Sequence, residues 1–269
     1  MLNKDTQLCI SLSGRPSNIG TRFHNYLYQK LDIDFIYKAF TTNDIEAAIK
    51  GVRALGIRGC SVSMPFKESC IPFIDHLTDS AKAIDSVNTI VNDKGVLTAY
   101  NTDFLAIRQL IAENLPDNQQ YVVVQGAGGM AKAVVAAFHD AGFTHLTVMA
   151  RNEKNGRNLA EKYQYTYQSP EQCSPADIIV NVTPLGMSGG PDSETLAFDD
   201  ALITAAKTVF DVVAFPAETP LVKRAKALGK SVISGDRVIA LQALEQFALY
   251  TGVRPSDELM QEASLFSRR

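Results

Sequence analysis

Apolar positions along this chain follow two rhythms in alternation. Short, largely apolar runs at Gln7–Leu12, Phe35–Phe40 and Gly59–Ser63 read as strands. Between them, Thr21–Lys30 and Asp44–Leu55 carry the wider spacing of amphipathic helices. Thr42 or Asn43 is the expected cap of the second helix, with Glu46 three residues after Asn43 and Gly56 as the stop. Pro65 closes the third strand, and Ile71 to Ala83 reads as a helical region broken by Pro72. Thr89–Val91 and Leu97–Tyr100 flank Asn92-Asp93-Lys94-Gly95, a hairpin signal. Asp103–Asn114 reads as a helix leading into a second unit, where the alternation restarts. Its strands are expected at Tyr121–Gln125, His145–Met149, Asp177–Asn181, Thr208–Val213 and Ser231–Ile233, with helices between. A helix over Val238–Thr251 and another from Pro255 end the pattern.

Strand–helix alternation of this kind favours mainly parallel sheets with helices on both faces. The expectation is therefore an α/β protein of two domains. Residues 1–103 and 238–269 would form a mainly parallel α/β domain, and residues 104–237 a Rossmann-type dinucleotide-binding domain. The C-terminal helices would return to the first domain and act as a hinge. A length of 269 residues accommodates two ordinary cores.

Charge and cysteine usage narrow the field. A net charge of −3 gives no electrostatic case for nucleic acid or an anionic membrane. The residues from Met1 to Ile10 lack the apolar stretch of a signal peptide, and no apolar run is long enough for a bilayer. Cys9, Cys60, Cys70 and Cys173 form neither a C-x-x-C pair nor a cluster with histidine, so they read as reduced thiols, with no metal site and a cytoplasmic location. The expected partner is a small molecule, and the expected state a monomer or homodimer.

The strongest chemical signal is the strand Tyr121–Gln125, followed by Gly126-Ala127-Gly128-Gly129 and then an apolar helix through Phe138. A strand that delivers bare N–H groups to a helix N-terminus suits a pyrophosphate. Gly126 is expected to make the tight turn and Gly128 to let the backbone approach the phosphates. Gly129 and Ala131 are expected to keep the helix close to the sheet. A glycine turn with no nucleotide is the alternative for this signal alone. Met130, Val134, Val135 and Phe138 read as one apolar stripe.

Arg151 follows the second strand of this unit, where an acidic residue would bind a ribose 2′-hydroxyl and an arginine suits a 2′-phosphate. Asn152, with Lys154 or Arg157, could complete a phosphate cradle, whereas Glu153 could repel phosphate or bind a hydroxyl. NADP(H) is the cofactor expected. Lys67 and Asp103 each end a predicted strand. Alone they read as a solvated lysine and a helix-capping aspartate; together near a ketone, an ammonium and a carboxylate could exchange a proton with the substrate oxygen. His24, beside Asn25, reads as structural, because a lone histidine makes no metal site.

Four segments in order resemble the shikimate dehydrogenase family: Ser61-Val-Ser-Met-Pro-Phe-Lys67; Asp85-Ser-Val-Asn-Thr89 with Tyr100-Asn-Thr-Asp103; Gly126-Ala-Gly-Gly129; and Asn181-Val-Thr-Pro-Leu-Gly-Met187. Glu218-Thr-Pro-Leu221 and Gln242 support the likeness, which spans nearly the whole chain. The resemblance implies an NADP-dependent shikimate 3-dehydrogenase of aromatic amino acid biosynthesis, interconverting shikimate and 3-dehydroshikimate by hydride transfer. It implies Lys67 and Asp103 as the catalytic pair. Ser11 and Ser13 would hold the carboxylate of a cyclic hydroxy acid, and Ser63, Asn88 and Gln242 its ring groups. Gly126, Ala127, Gly128, Gly129, Arg151, Asn152 and Thr183 would bind the cofactor, with Met187, Val213 and Gly235 around the nicotinamide.

Several positions depart from the family pattern. The loop from Ser13 to Gly20 is longer than the usual turn. Ser61 and Ser63 stand for Asn and Thr, and Phe104 and Ala106 for glycines. Ala214-Phe215-Pro216 replaces Tyr-Asn-Pro, and Arg237-Val-Ile-Ala240 replaces Gly-Met-Leu-Val. These changes resemble the shikimate dehydrogenase-like branch and imply low turnover. Two alternatives stay open: a quinate or other cyclitol-acid dehydrogenase of the same fold, and a dinucleotide-binding sensor without chemistry.

Overall fold

The computed structural model describes residues 2–172 and 174–268, so the reading of Cys173 as a reduced thiol lies outside the described residues. Internal contacts divide the chain into two compact units, Met1–Thr102 with Ala240–Arg269, and Asp103–Ile239.

The first unit contains β1 (Gln7–Leu12), α1 (Asn18–Lys30), β2 (Phe35–Phe40), α2 (Ile45–Ala54), β3 (Gly59–Val62), β4 (His76–Leu77), α3 (Asp79–Lys82), β5 (Thr89–Asp93) and β6 (Val96–Tyr100). The strands lie in the order β2-β1-β3-β5-β6-β4. β1 pairs in parallel with β2 and β3, and β4 with β6; β5 runs antiparallel to β3 and β6. The antiparallel pair is the expected hairpin, closed by the Gly95 N–H donating to Asn92 Oδ1 at 2.8 Å. One face of the sheet buries Ile10, Leu12, Val62 and Ile90 with Ile49 and Val52. The opposite face carries Ser11, Ser61 and Thr89 in one cross-strand row, because Ser11 registers with Ser61 and Ser61 with Thr89. His24 of α1 is buried and stacked on Tyr37, 4.4 Å between ring centroids.

Two expectations for this unit are corrected. The cap of α2 is Asp44, whose carboxylate accepts the Ala47 N–H at 2.9 Å; Thr42 instead bonds the Asp44 backbone, and Asn43 is not the cap. Residues 71–83 do not form one helical region. A single 3₁₀ turn at Ile71–Phe73 gives way to β4 and the short α3. Pro72 is one reason. The other is Asp75, held by Arg53 at 2.7 Å and by the Leu97 N–H at 2.7 Å, which ties the chain to the sheet edge instead of to a helix axis.

The second unit contains α4 (Thr102–Asn114), which begins at the boundary, then β7 (Val122–Gln125), α5 (Gly129–Asp140), β8 (Leu146–Met149), α6 (Glu153–Lys162), β9 (Thr166–Gln168), β10 (Ile178–Asn181), α7 (Asp200–Ala205), β11 (Thr208–Asp211), α8 (Pro220–Ala227) and β12 (Ser231–Ser234). All pairings are parallel, in the order β12-β11-β10-β7-β8-β9. The order reverses at β7 and β10, the switch point at which doubly wound sheets bind ligands. Short, polar β9 was not among the expected strands. α5 is buried on several sides, with Ala131 and every residue from Ala133 to Phe138 enclosed, so its core contact is wider than a single stripe.

The chain ends in α9 (Gly235–Thr251) and α10 (Asp257–Ser267). From Ala240 onward it belongs to the first unit, and α10 packs on α1. Among the described residues, no helix is long and apolar enough to cross a membrane.

Candidate functional site

The turn after β7 is built as a backbone cradle. Gly126 has φ +128, and an added Cβ would lie 2.7 Å from Val182 Cγ2, so this turn excludes other residues. Gly128 is the N-cap residue of α5, and a Cβ there would meet nothing within 4 Å. α5 therefore starts at a residue with open space where a side chain would stand, and its first-turn N–H groups have no partner within the helix. Gly129 is a correction: its added Cβ would also meet nothing, so it does not set the distance from helix to sheet, whereas Ala131 is fully buried.

A groove of about 830 Å³ runs over this turn, lined by Gln125 to Gly128, Met149 to Asn152, Asn155, Pro170, Glu171 and Val182 to Leu185. It gathers the expected Gly126, Ala127, Gly128, Arg151, Asn152 and Thr183. Arg151 is exposed, and the Asn152 side chain caps α6 by accepting the Asn155 N–H at 3.0 Å. Glu153 does not line the groove; it pairs with Arg157 at 2.7 Å, and Arg157 lies over the Tyr167 ring at 4.9 Å. The acid that could have repelled a phosphate is thus engaged along α6. A glycine-rich cradle at a helix N-terminus, with an arginine beyond the second strand, fits a dinucleotide carrying a 2′-phosphate.

The loops after β10 and β11 are clasped from beneath. Asn181 Oδ1 accepts from the Thr183 N–H at 3.0 Å and the Thr183 hydroxyl at 2.7 Å, while its Nδ2 donates to Asp211 Oδ1 at 3.0 Å. Asp211 also accepts the Val213 N–H at 3.1 Å and the Thr219 hydroxyl at 2.6 Å. Burial raises the Asp211 carboxyl pKa; the bonds from Thr219, Val213 and Asn181 oppose that shift. Gly235 is packed against this segment, since an added Cβ would lie 2.3 Å from the Val213 carbonyl oxygen. Met187 is 42% exposed, its N–H bonded to the Pro184 carbonyl at 3.0 Å. Met187, Val213 and Gly235 do not line the groove itself.

In the first unit, Ser13 and Ser63 directly follow β1 and β3, and Asn88 directly precedes β5. The Ser63 N–H donates to the Leu12 carbonyl at 2.9 Å and the Gly14 N–H to the Met64 carbonyl at 3.0 Å, which joins the two serine loops. Ser13 is buried with its hydroxyl oxygen unpartnered, whereas Ser63 is exposed. Lys67 is half-buried, and its carbonyl accepts the Val87 N–H at 2.8 Å, beside Asn88. Asn88 is buried, with Oδ1 taking the Thr102 N–H at 2.8 Å and the Thr89 hydroxyl at 2.9 Å. Asp103 is the buried second residue of α4, directly after Thr102. Gln242 is half-buried on α9, one turn before Gln246.

Gln246, Tyr37, Asn181 and Asp211 were not singled out as site residues by sequence reasoning. Gln246 is buried against Ser61 and Thr89, and Tyr37 lies beside the hydroxyls of Ser11 and Ser61. A polar residue in the apolar run of α9 was the available signal for Gln246. Asn181 opened a recognised motif without an assigned role.

Two family models match the chain: the shikimate dehydrogenase substrate binding domain over residues 18–90 and shikimate / quinate 5-dehydrogenase over residues 109–183. A shikimate dehydrogenase-like protein of Haemophilus influenzae is 62% identical, covering 100% of this chain and 99% of its own. A quinate dehydrogenase from Corynebacterium glutamicum in complex with NAD superposes with a TM-score of 0.88 at 27% identity, covering 97% of this chain and 99% of its own. A shikimate dehydrogenase in complex with NADP+ gives 0.88 at 27%, covering 98% and 96%. With matching motifs in both units and a full-length relative at this identity, the chain belongs to the shikimate dehydrogenase family.

Proposed function

We propose that the protein is an NADP(H)-dependent oxidoreductase that interconverts shikimate and 3-dehydroshikimate at low turnover. The observation that carries this reading is the combination of the Gly126–Gly128 cradle with Arg151 in one groove, in a chain that also keeps Lys67 and Asp103 within family motifs. On this reading the first unit binds substrate and the second binds cofactor.

The first-turn N–H groups of α5 hold the pyrophosphate, and Arg151 holds the 2′-phosphate. Bound NADPH supplies the hydride for the ketone carbon. Lys67 gives a proton to the ketone oxygen as charge develops there, and recovers it from the hydroxyl in oxidation. The Asp103 carboxylate accepts a substrate hydroxyl hydrogen. Asn88, its Oδ1 occupied, offers Nδ2 to a ring oxygen, and Ser11 and Ser13 offer hydroxyls to the carboxylate.

Low turnover rests on the departures around this machinery. Ser61 has fewer donors than an asparagine, and Ala214-Phe215 lacks a tyrosine hydroxyl. Arg237 departs from the glycine of the family pattern described above, and it is paired with Glu113 at 3.0 Å. Loss of two or three neutral hydrogen bonds with poorer alignment slows a reaction about ten- to a thousandfold.

A quinate reading is kept because a quinate dehydrogenase is among the similar structures, and Ser61 leaves more room than asparagine for an added ring hydroxyl. Assaying shikimate, quinate and related acids with NADP and NAD, by cofactor absorbance, separates the two. Shikimate with NADP should turn over, at a kcat/KM below that of an ordinary shikimate dehydrogenase in the same buffer. Faster quinate turnover would select the second reading. Tight NADP binding with no turnover of any acid would leave the sensor reading.

A further inference from the structure

We infer that Gln246 is a positioning residue that sets what Asn88 and Ser61 present to the cyclic acid; the inference rests on the substrate role proposed above for Asn88. Gln246 is 4% exposed, on α9, above the row formed by Ser61 and Thr89. Its Nε2 lies 3.0 Å from Thr89 Oγ1, 3.3 Å from Ser61 Oγ and 3.3 Å from the Asn88 carbonyl oxygen.

The direction of these bonds is forced. An amide nitrogen only donates, so the Thr89 oxygen accepts from Gln246. The Thr89 hydroxyl hydrogen is then directed to Asn88 Oδ1 at 2.9 Å. That same oxygen takes the Thr102 N–H at 2.8 Å and the Thr102 hydroxyl at 3.1 Å. With Oδ1 saturated, Asn88 is left to present the two hydrogens of Nδ2. Gln246 also bonds the main-chain carbonyl of Asn88, which takes the Val62 N–H at 2.8 Å. One side chain therefore clamps both the backbone and, through Thr89, the amide of Asn88. With one amide hydrogen on Thr89, the other is shared between the Asn88 carbonyl and Ser61 Oγ, both at 3.3 Å, and the Ser61 hydrogen points elsewhere. A buried polar chain of this kind acts as a unit, because unmatched groups inside are costly.

Two substitutions interrupt the relay at different links. Gln246→Met keeps the shape and removes the donors; Thr89→Val removes the hydroxyl and keeps Gln246. Each should raise the KM for shikimate about three- to tenfold, the loss of roughly one hydrogen bond's worth of binding, with kcat changed by less than about twofold. The affinity for NADP should not move. The double variant should be no worse than the poorer single one, because both cut the same chain. Additive KM effects, or a lower Tm with KM unchanged, would overturn the inference in favour of simple packing.

A ligand-free measurement keeps this test separate from the proposed reaction. In the amide NMR spectrum, the side-chain NH₂ pair of Asn88 and the Thr102 N–H should shift in Gln246→Met; unmoved resonances overturn the positioning role. If no acid is turned over by the unaltered protein, the proposed function fails while this spectrum still decides the inference. Should Gln246→Met not fold, Thr89→Val is read by the same KM and the same resonances.

Discussion

Thr219 donates its hydroxyl hydrogen to Asp211 Oδ2 at 2.6 Å while its oxygen accepts the Val222 N–H at 3.1 Å. One side chain thus starts α8 and supplies a donor to a carboxylate that is fully enclosed. Thr219→Val should lose the cap, worth about 1 kcal/mol, and leave Asp211 one donor short, worth about 1–3 kcal/mol more. Urea unfolding should show a loss of about 2–4 kcal/mol. A change under about 0.5 kcal/mol would mean that Asp211 finds another donor.

What the sequence revealed and what it hid divide along the range of the forces involved. The strands of the second unit were legible because a sheet buried on both faces demands continuous apolar runs, as in Val122–Val124 and Ile178–Val180. The glycine turn was legible because Gly126 answers a local backbone need. Residues 71–83 were misread because Arg53, far off in sequence, fixes Asp75. β9, with Thr166 and Gln168, survives by pairing with β8 and carries little apolar signal of its own. Gln246 was missed for a similar reason: only the polar row beneath α9 makes a buried amide favourable there. Asp44 displaced Thr42 and Asn43 as cap by a shift of one or two residues, a distinction that propensity does not resolve.

The two glycines of the turn should behave differently. Gly126→Ala introduces a Cβ 2.7 Å from Val182 Cγ2 at a φ of +128, so Tm should fall clearly. Gly128→Ala has open space and an ordinary φ of −88, so Tm should hold. Its methyl would enter the space reserved for phosphates, and the Kd for NADP should rise at least about tenfold, roughly 1.4 kcal/mol. Unchanged NADP binding in Gly128→Ala would remove the turn from the cofactor site.

His24 makes stability depend on acid. Burial lowers its pKa from 6.5 to about 3, a tendency that neighbouring Gln246 only partly opposes. The titratable rings beside it, Tyr28, Tyr37 and Tyr250, are all raised by burial and stay neutral in acid. The unfolded chain therefore takes up a proton that the folded one refuses. This contribution is fully present above pH 6.5 and is lost as pH falls towards about 3, by up to about 1.4 kcal/mol per unit. His24→Phe, which can keep the stacking on Tyr37, should gain on the unaltered protein as pH drops from 7 to about 4.5 in urea titrations. Parallel curves across that range would show that His24 is not the group responsible.

Arg151→Ala should discriminate between cofactors. Its guanidinium would make a charge-assisted contact to a 2′-phosphate, worth about 1.5–3 kcal/mol, and none to an unphosphorylated ribose. Titration should show NADP weakened at least about tenfold and NAD almost unaffected. Equal losses would shift the reading to Glu171, the acidic residue that does line the groove, and to NAD.

Lys67→Ala should lower kcat for shikimate far more than it changes KM. If the ammonium supplies the proton as charge builds on the ketone oxygen, its contribution is made in the transition state and scarcely in the ground state. General acid–base help of this kind is worth about a hundred- to ten-thousandfold. The Lys67 backbone is held by Val87, and that bond survives truncation of the side chain, so the Asn88 segment should keep its place. Steady-state kinetics should then give a depressed kcat with substrate and cofactor affinities near those of the unaltered protein. A raised KM at constant kcat would assign Lys67 to binding alone, and the proton would have to come from another group.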